Sequence, residues 1–336
     1  MLQFNQILGQ QGALDGLTSA IAAGRLAHGL LFYGPAGVGK KSTVRALVQR
    51  TLCHEVGEHA LNASGTLPES GCGHCSSCAR FDSGGHPDLL WLEKQDGRTQ
   101  LLVDQVRDLT HFVALTPLLS NYKVAVIDEV SLMNASAANA LLKTLEEPPA
   151  QSLIILTTQS PGALLPTIRS RCQAIRFVPL EADILRKLLK NHKTEPPLTD
   201  QAMESAIEMA GGSMGRALAL CEGELPTQRQ ELWQDMAQLL KGTDLGTICD
   251  LAARWGKAEL FETTTMLLEF WFQSHIRANL LDQDQSNNHQ AQSTRNREWL
   301  TLAQQFTRMV DEARVFNLNR PLMLEHLFIR ITRLAT

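Results

Sequence analysis

The apolar run Leu30-Leu31-Phe32-Tyr33 leads directly into Gly34-Pro35-Ala36-Gly37-Val38-Gly39-Lys40-Lys41, and apolar residues at helical spacing follow at Val44, Leu47 and Val48. Strand, glycine loop, helix is the setting a phosphate-binding loop requires, and it commits the surrounding chain to an α/β domain. Glycines let the backbone wrap a phosphate with its N–H groups facing inward, and the helix N-terminus adds positive field. Lys40 is spaced to reach the β- and γ-phosphates. The next residue is normally Ser or Thr, whose hydroxyl helps hold Mg²⁺. Here it is Lys41, with Ser42 one position late. The nucleotide-contact candidates are therefore Gly34, Gly37, Gly39, Lys40, Lys41 and Ser42. Whether ATP and Mg²⁺ are cofactors is left open by Lys41.

The pattern downstream supports a parallel sheet. Asp88–Leu92 reads as a second strand, and Leu101–Leu115 as a helix with Val103, Val106, Leu109 and Val113 at helical spacing. Lys123-Val-Ala-Val-Ile is a continuous apolar run ending in Asp128-Glu129, the pattern of a strand buried on both faces with two acids at its tip. This resembles a Walker B element, in which Asp128 would orient Mg²⁺ or its water and Glu129 would polarise the attacking water. Asn134–Glu147 is an amphipathic helix stopped by Pro148-Pro149. Ser152–Thr158 is the next buried strand, with Thr157 and Thr158 at its tip. A short Pro-containing segment leads to Arg171-Cys172, and Ala174–Val178 is the last strand. Strands alternating with helices over 30–178 predict a right-handed parallel α/β sheet.

Cys53, Cys72, Cys75 and Cys78 cluster in a stretch that shows neither strand nor helix pattern from Cys53 to Pro87. Four thiolates can close a tetrahedral Zn²⁺ site, and a full shell with no open position is structural rather than catalytic. A long loop inside a compact domain needs such an anchor.

After Pro179 no convincing strand is found. Helices are expected over Asp183–His192, Gln201–Ala210 and Arg216–Glu222, then about five more near 227–241, 244–256, 258–282, 296–316 and 320–334. Asp282–Thr294, polar and Gln/Asn-rich, is expected to be a mobile loop. The domain boundaries predicted are 1–178 for the α/β domain with its cysteine module (53–78), 179–223 for a small helical lid and 224–336 for an all-α collar. The formal net charge of −4 gives no global basic signal, so any nucleic-acid contact is local or made through partners. No stretch nears the ~18 consecutive apolar residues of a membrane span, and the N-terminus lacks a signal-peptide pattern. A cytoplasmic location is the expectation.

Several stretches together are recognisable. Ala137-Ala-Asn-Ala-Leu-Leu-Lys-Thr-Leu-Glu-Glu-Pro-Pro149, Ser170-Arg-Cys172, the four-cysteine insertion, and the order glycine loop, cysteines, Asp-Glu, Ser-Arg-Cys resemble the AAA+ clamp-loader subunits of bacterial DNA polymerase III. The likeness is strong over residues 4–222 and one of type only beyond. His86-Pro-Asp88, Val103-Asp-Gln-Val-Arg107, Leu164-Leu-Pro-Thr-Ile168 and Lys41 resemble the delta-prime type rather than the gamma/tau motor type.

The resemblance implies a P-loop NTPase-type domain that need not hydrolyse ATP. It implies that Arg171 acts as a finger in trans on ATP bound to a neighbouring motor subunit. It places Thr157 or Thr158 at sensor 1 and Arg216 at sensor 2, and it sets Asn139 and Lys143 near DNA phosphates, against the competing reading of a solvated helix face. Partners implied are gamma/tau and delta subunits in a hetero-pentamer, with sliding clamp and primed DNA reached through the complex. Two alternatives stay open: an active ATPase motor using Lys40, Asp128 and Glu129, and a zinc-stabilised adaptor outside replication. No paired-carboxylate polymerase site is present, so any polymerase activity would belong to the holoenzyme.

Overall fold

The computed structural model describes residues 4–56, 71–94, 101–192, 199–221, 225–281, 289–316 and 318–335. The chain divides into two compact units. One comprises Met1–Lys193 with Ala210–Leu218, the other Thr194–Met209 with Ala219–Thr336.

The first unit is built on β1 (Gly29–Tyr33), β2 (Leu89–Leu92), β3 (Lys123–Ile127), β4 (Ser152–Thr158) and β5 (Gln173–Arg176). They form one sheet in the order β2-β3-β4-β1-β5, and every neighbouring pair is parallel. The apolar runs are explained by burial on both faces. Leu30, Phe32, Val124, Val126, Leu153 and Ile155 point to a layer formed by α1 (Gln11–Ala22), α2 (Lys40–Leu52) and α3 (Ser76–Asp82). Leu31, Ala125, Ile127, Ile154 and Leu156 point the other way, against α4 (Val103–Ala114), α5 (Ala135–Glu146) and α6 (Pro166–Arg169). Each strand thus feeds two cores through its period of two. Asn134 caps α5, its Oδ1 accepting from Ala137 N at 2.9 Å. α7 (Ala182–Asn191) buries Leu185 and Leu189.

A buried ionic knot ties β2 to β3. The Asp88 carboxylate accepts from the backbone N–H groups of Leu118, Leu119 and Ser120 at 2.7, 2.7 and 2.8 Å. Lys123 Nζ stands 3.0 Å away, with side chains 3% and 0% exposed. Burial opposes the Asp88 charge, but the three N–H donors and Lys123 outweigh it and hold the carboxyl down to about 2.

The regular structure of the second unit is, among the described residues, all helical. α8 (Asp200–Ala210), α9 (Met214–Cys221), α10 (Leu225–Leu240), α11 (Leu245–Trp255), α12 (Phe261–Leu281), α13 (His289–Phe316) and α14 (Arg320–Ala335) follow in order, α9 starting in the first unit. Trp255, Phe261, Phe270, Trp299, Phe306 and Phe328 fill its core. Trp255 Nε1 donates to Asp235 Oδ2 at 2.8 Å, so the buried indole keeps a partner.

Two elements differ from the sequence expectation. The cysteine stretch contains α3, started by Cys75, whose Sγ accepts from Cys78 N at the helix N-cap. The stretch expected as a loop to Thr294 is helical from His289 onward; residues 282–288 lie outside the described residues. Its Gln, Ser and Thr residues continue a helix already anchored by Trp299 and Leu302, for which no further apolar face is needed.

Candidate functional site at the carboxyl edge of the sheet

The strand register brings the candidate residues together. Tyr33 pairs with Thr158 and Ile127 with Leu156, so the glycine loop, Asp128-Glu129 and Thr157-Thr158 emerge from three adjacent strand ends. In open α/β sheets that edge carries the ligand site. Two glycines have no substitute here. A Cβ on Gly34 (φ +147) would lie 2.3 Å from the Phe177 carbonyl oxygen, and one on Gly37 (φ +69) would lie 2.3 Å from Ser213 Oγ. The Gly37 carbonyl accepts from Met214 N at 2.9 Å, and Gln10 Nε2 donates to Val38 O at 3.0 Å and Val178 O at 2.7 Å. Gln10 therefore braces the loop from the N-terminal segment.

A pocket of about 680 Å³ opens beside the loop. Its lining combines apolar side chains (Ile7, Leu8, Leu180, Leu188, Met214) with Lys40, Lys41, Ser42, Lys94, Asp128, Glu129 and Thr157. Lys40 is buried and its Nζ donates to Gly34 O at 2.6 Å and Pro35 O at 2.7 Å. Burial lowers its pKa, against the opposing pull of Glu129 and Asp128.

Lys41 is differently engaged. Its Nζ stands 2.6 Å from Glu93 Oε2 and 3.3 Å from Asp128 Oδ2, over the Trp91 ring. Partial burial pulls its pKa down, but the hydrogen bond to Glu93 and the Asp128 charge outweigh it, so the ammonium is stabilised. Asp128 Oδ1 meanwhile accepts from Thr157 Oγ1 at 2.6 Å.

Glu129 has φ +54, a left-handed conformation that a non-glycine residue holds at a cost of order 1–3 kcal/mol. Its Oε1 accepts from Ser131 Oγ (2.5 Å), Thr158 Oγ1 (3.0 Å) and Gln159 N (3.0 Å). That oxygen is fully engaged by the chain itself. Arg216 is half-buried in α9, its backbone N–H donating to Ser213 Oγ at 3.2 Å; the pocket is lined by the preceding Met214 and Gly215.

Arg171 lies elsewhere. Its guanidinium contacts Glu146 Oε1 at 2.6 Å and donates to the Thr167 carbonyl at 2.9 Å, one third exposed. Its own carbonyl is beside Gly29, the first residue of β1, whereas the glycine loop follows Tyr33 at the last. Four residue steps of strand, roughly 13 Å, separate the two ends. Asn139 and Lys143 are both exposed on α5.

The four cysteine sulfurs Cys53, Cys72, Cys75 and Cys78 all lie within 4.8 Å of one another, Cys72 and Cys78 at 4.0 Å. A tetrahedral site with metal–sulfur bonds of about 2.3 Å sets its sulfurs ~3.8 Å apart, so this donor set fits a metal ion. Backbone N–H groups of Cys72, Cys75 and Cys78 donate to the sulfurs of Cys53, Cys72 and Cys75 at 3.2, 3.3 and 3.4 Å, which favours thiolates. Burial works against the Cys75 thiolate, but such donors win and bring it to about 6.

Two residues of the site were not singled out by the sequence reading. Gln10 reaches across 168 positions to Val178. Glu93 could have been found as the acid one residue past a second strand ending on the same sheet edge.

A glycine loop, an Asp-Glu strand tip and a neighbouring threonine on one edge of a parallel sheet define a P-loop NTPase-type domain. Residues 9–181 match the family model described as DNA polymerase III, delta subunit. The chain is 32% identical to the DNA polymerase III subunit delta' of Pseudomonas aeruginosa, over 90% of this chain and 91% of that one. It is also 32% identical to the Escherichia coli subunit delta', over 80% and 77%. To the E. coli subunit tau it is 30% identical, over 71% of this chain and 36% of tau. The chain belongs to the family of DNA polymerase III delta-prime subunits.

Proposed function

We propose that this chain acts as the delta-prime subunit of a clamp loader, assembled with gamma/tau and delta subunits, and helps place a sliding clamp on primed DNA. In this reading its chemical contribution is Arg171, presented to ATP on a neighbouring motor subunit. The observation that carries it is the position of Arg171: one third exposed, held by Glu146 and Thr167, and at the strand end opposite its own glycine loop. A guanidinium there serves another chain's nucleotide, where it neutralises charge developing on the transferring phosphoryl group. Such fingers contribute about 10³–10⁵ in rate.

The chain's own loop is idle in hydrolysis. Lys41 engages Asp128 at the position where a metal-holding hydroxyl is normally found, and three donors on Glu129 Oε1 withdraw that one carboxylate oxygen from water. The cysteine cluster holds structural Zn²⁺, supported by its all-thiol donor set. Among the described residues no helix is long and apolar enough to cross a membrane, in keeping with a place in the cytoplasmic replication machinery. In a reconstituted complex, Arg171→Ala should remove the DNA-stimulated turnover of the adjoining ATP site while gel filtration shows intact assembly. Unchanged turnover would overturn the finger role.

A further inference from the structure

The helical unit carries a groove between α8 and α10. Its volume is about 610 Å³, and its walls include Met209, Pro226, Trp233 and Ala237 together with Ser205 and Arg229. Met209 and Trp233 also pack against the aromatic core of the unit, so their places in the wall are fixed. Arg229 is half-buried and loosely held. Its Nη1 stands 3.5 Å from Ser205 Oγ and 4.0 Å from Met209 Sδ, at the outer limit of hydrogen bonding. Other arginines of the unit meet acids: Arg254 reaches Glu231 and Asp235, and Arg277 reaches Glu208. Among the described residues Arg229 meets no carboxylate, and it is the only charged side chain lining the groove. Its remaining N–H donors form a planar fork with nothing in the described chain to fill it.

We propose that this groove docks a short peptide segment of a partner protein, Arg229 taking one carboxylate and the Met209–Trp233 wall taking a large apolar side chain beside it. A guanidinium matches a carboxylate with parallel N–H donors, and such a charge-assisted pair gains strength where apolar walls exclude part of the water. Trp, Met and Arg are also the residue types that anchor protein interfaces. A nucleic-acid strand is disfavoured by the same two helices. It needs a track of cations, whereas every other charged residue of α8 and α10 is acidic: Asp200, Glu204, Glu208, Glu231 and Asp235. Those acids also select a ligand with a single carboxylate over a run of them. The inference concerns the helical unit alone and is independent of Arg171 and of the glycine loop.

The test selects from a displayed random-peptide library on the immobilised full chain and then titrates the enriched peptides, labelled with fluorescein, by anisotropy. Enriched sequences are expected to set one carboxylate next to Leu, Phe or Trp and to bind saturably. Arg229→Gln should weaken binding about tenfold or more, the loss of one charge-assisted pair. Replacing the peptide's carboxylate by its amide should weaken binding to the natural chain by a similar factor and leave binding to Arg229→Gln unchanged, the pattern of a direct pair. That arm needs only the natural chain and one conservative variant, so it decides the matter even if bulkier variants misfold. Ala237→Trp, which fills the groove from an exposed position, should abolish binding with the melting temperature preserved. The proposal is overturned by a selection that yields no saturable binder of this kind, by Arg229→Gln or folded Ala237→Trp binding as well as the natural chain, or by equal weakening of the natural chain and Arg229→Gln on amidation. Displacement of the peptides by a single-stranded oligothymidylate would overturn it too, marking a nucleic-acid groove instead.

Discussion

At the scale of single residues, charge placement decides more than residue type. Asp88 and Lys123 are both buried, and each charge offsets part of the cost of burying the other. Asp88→Asn keeps the shape but leaves the Lys123 ammonium unpaired, and breaking one side of a buried pair costs about 3–5 kcal/mol. Urea denaturation should show a loss of that order; a change under ~1 kcal/mol would mean the loop after α4 re-solvates Lys123. The pH dependence has a definite sign. The folded carboxyl, at about 2, lies below its ordinary 3.8. Its stabilisation is therefore complete above pH 4 and lost as pH falls through about 2. The natural chain should weaken over that window and the Asn variant should lack this component. The same logic governs Lys41, where one ammonium among Glu93, Asp128 and Trp91 changes what the loop can hold.

At the scale of elements, what was legible in the sequence follows the physics of burial. The strands at Leu30–Tyr33, Lys123–Ile127 and Ser152–Thr158 were readable because both faces are buried, which forces continuous apolar runs. α5 was readable from its apolar face and the Pro148-Pro149 stop. α3 was not, because seven residues carry too little periodicity and its start depends on a cysteine sulfur as cap. The first turns of α13 were not, because a polar helix anchored further along needs no apolar face of its own. Leu141, fully buried on α5, sits in the core between that helix and the sheet, so Leu141→Ala should lower stability by about 2–5 kcal/mol in thermal or urea melts. For the cysteine module, elemental analysis should find about one zinc per chain, with four thiolate ligands. Chelation should open the segment around α3 to proteolysis while the far-UV signal of the remaining helices persists. Metal-free protein straight from purification, with α3 still protected, would contradict the metal reading.

At the scale of the whole molecule, strand order is what turns scattered motifs into a site. Asp128, Thr157 and the glycine loop are far apart in sequence and neighbours only because β1, β4 and β3 lie side by side. Motif spacing exposed those residues individually. It could not expose Gln10, whose role depends on the chain returning after β5, nor the pairing of Lys41 with Glu93, which depends on β2 ending at the same edge. The parallel register also sends Arg171 to the far end of β1, and this separation underlies the division of labour proposed here. The central claim is that productive chemistry involves Arg171 and not the chain's own loop. Its most direct test is DNA-stimulated ATP turnover of the reconstituted complex carrying either Lys40→Ala or Arg171→Ala in this subunit alone. The account predicts turnover unchanged with Lys40→Ala and the adjoining site silenced with Arg171→Ala; the reverse pattern would contradict it.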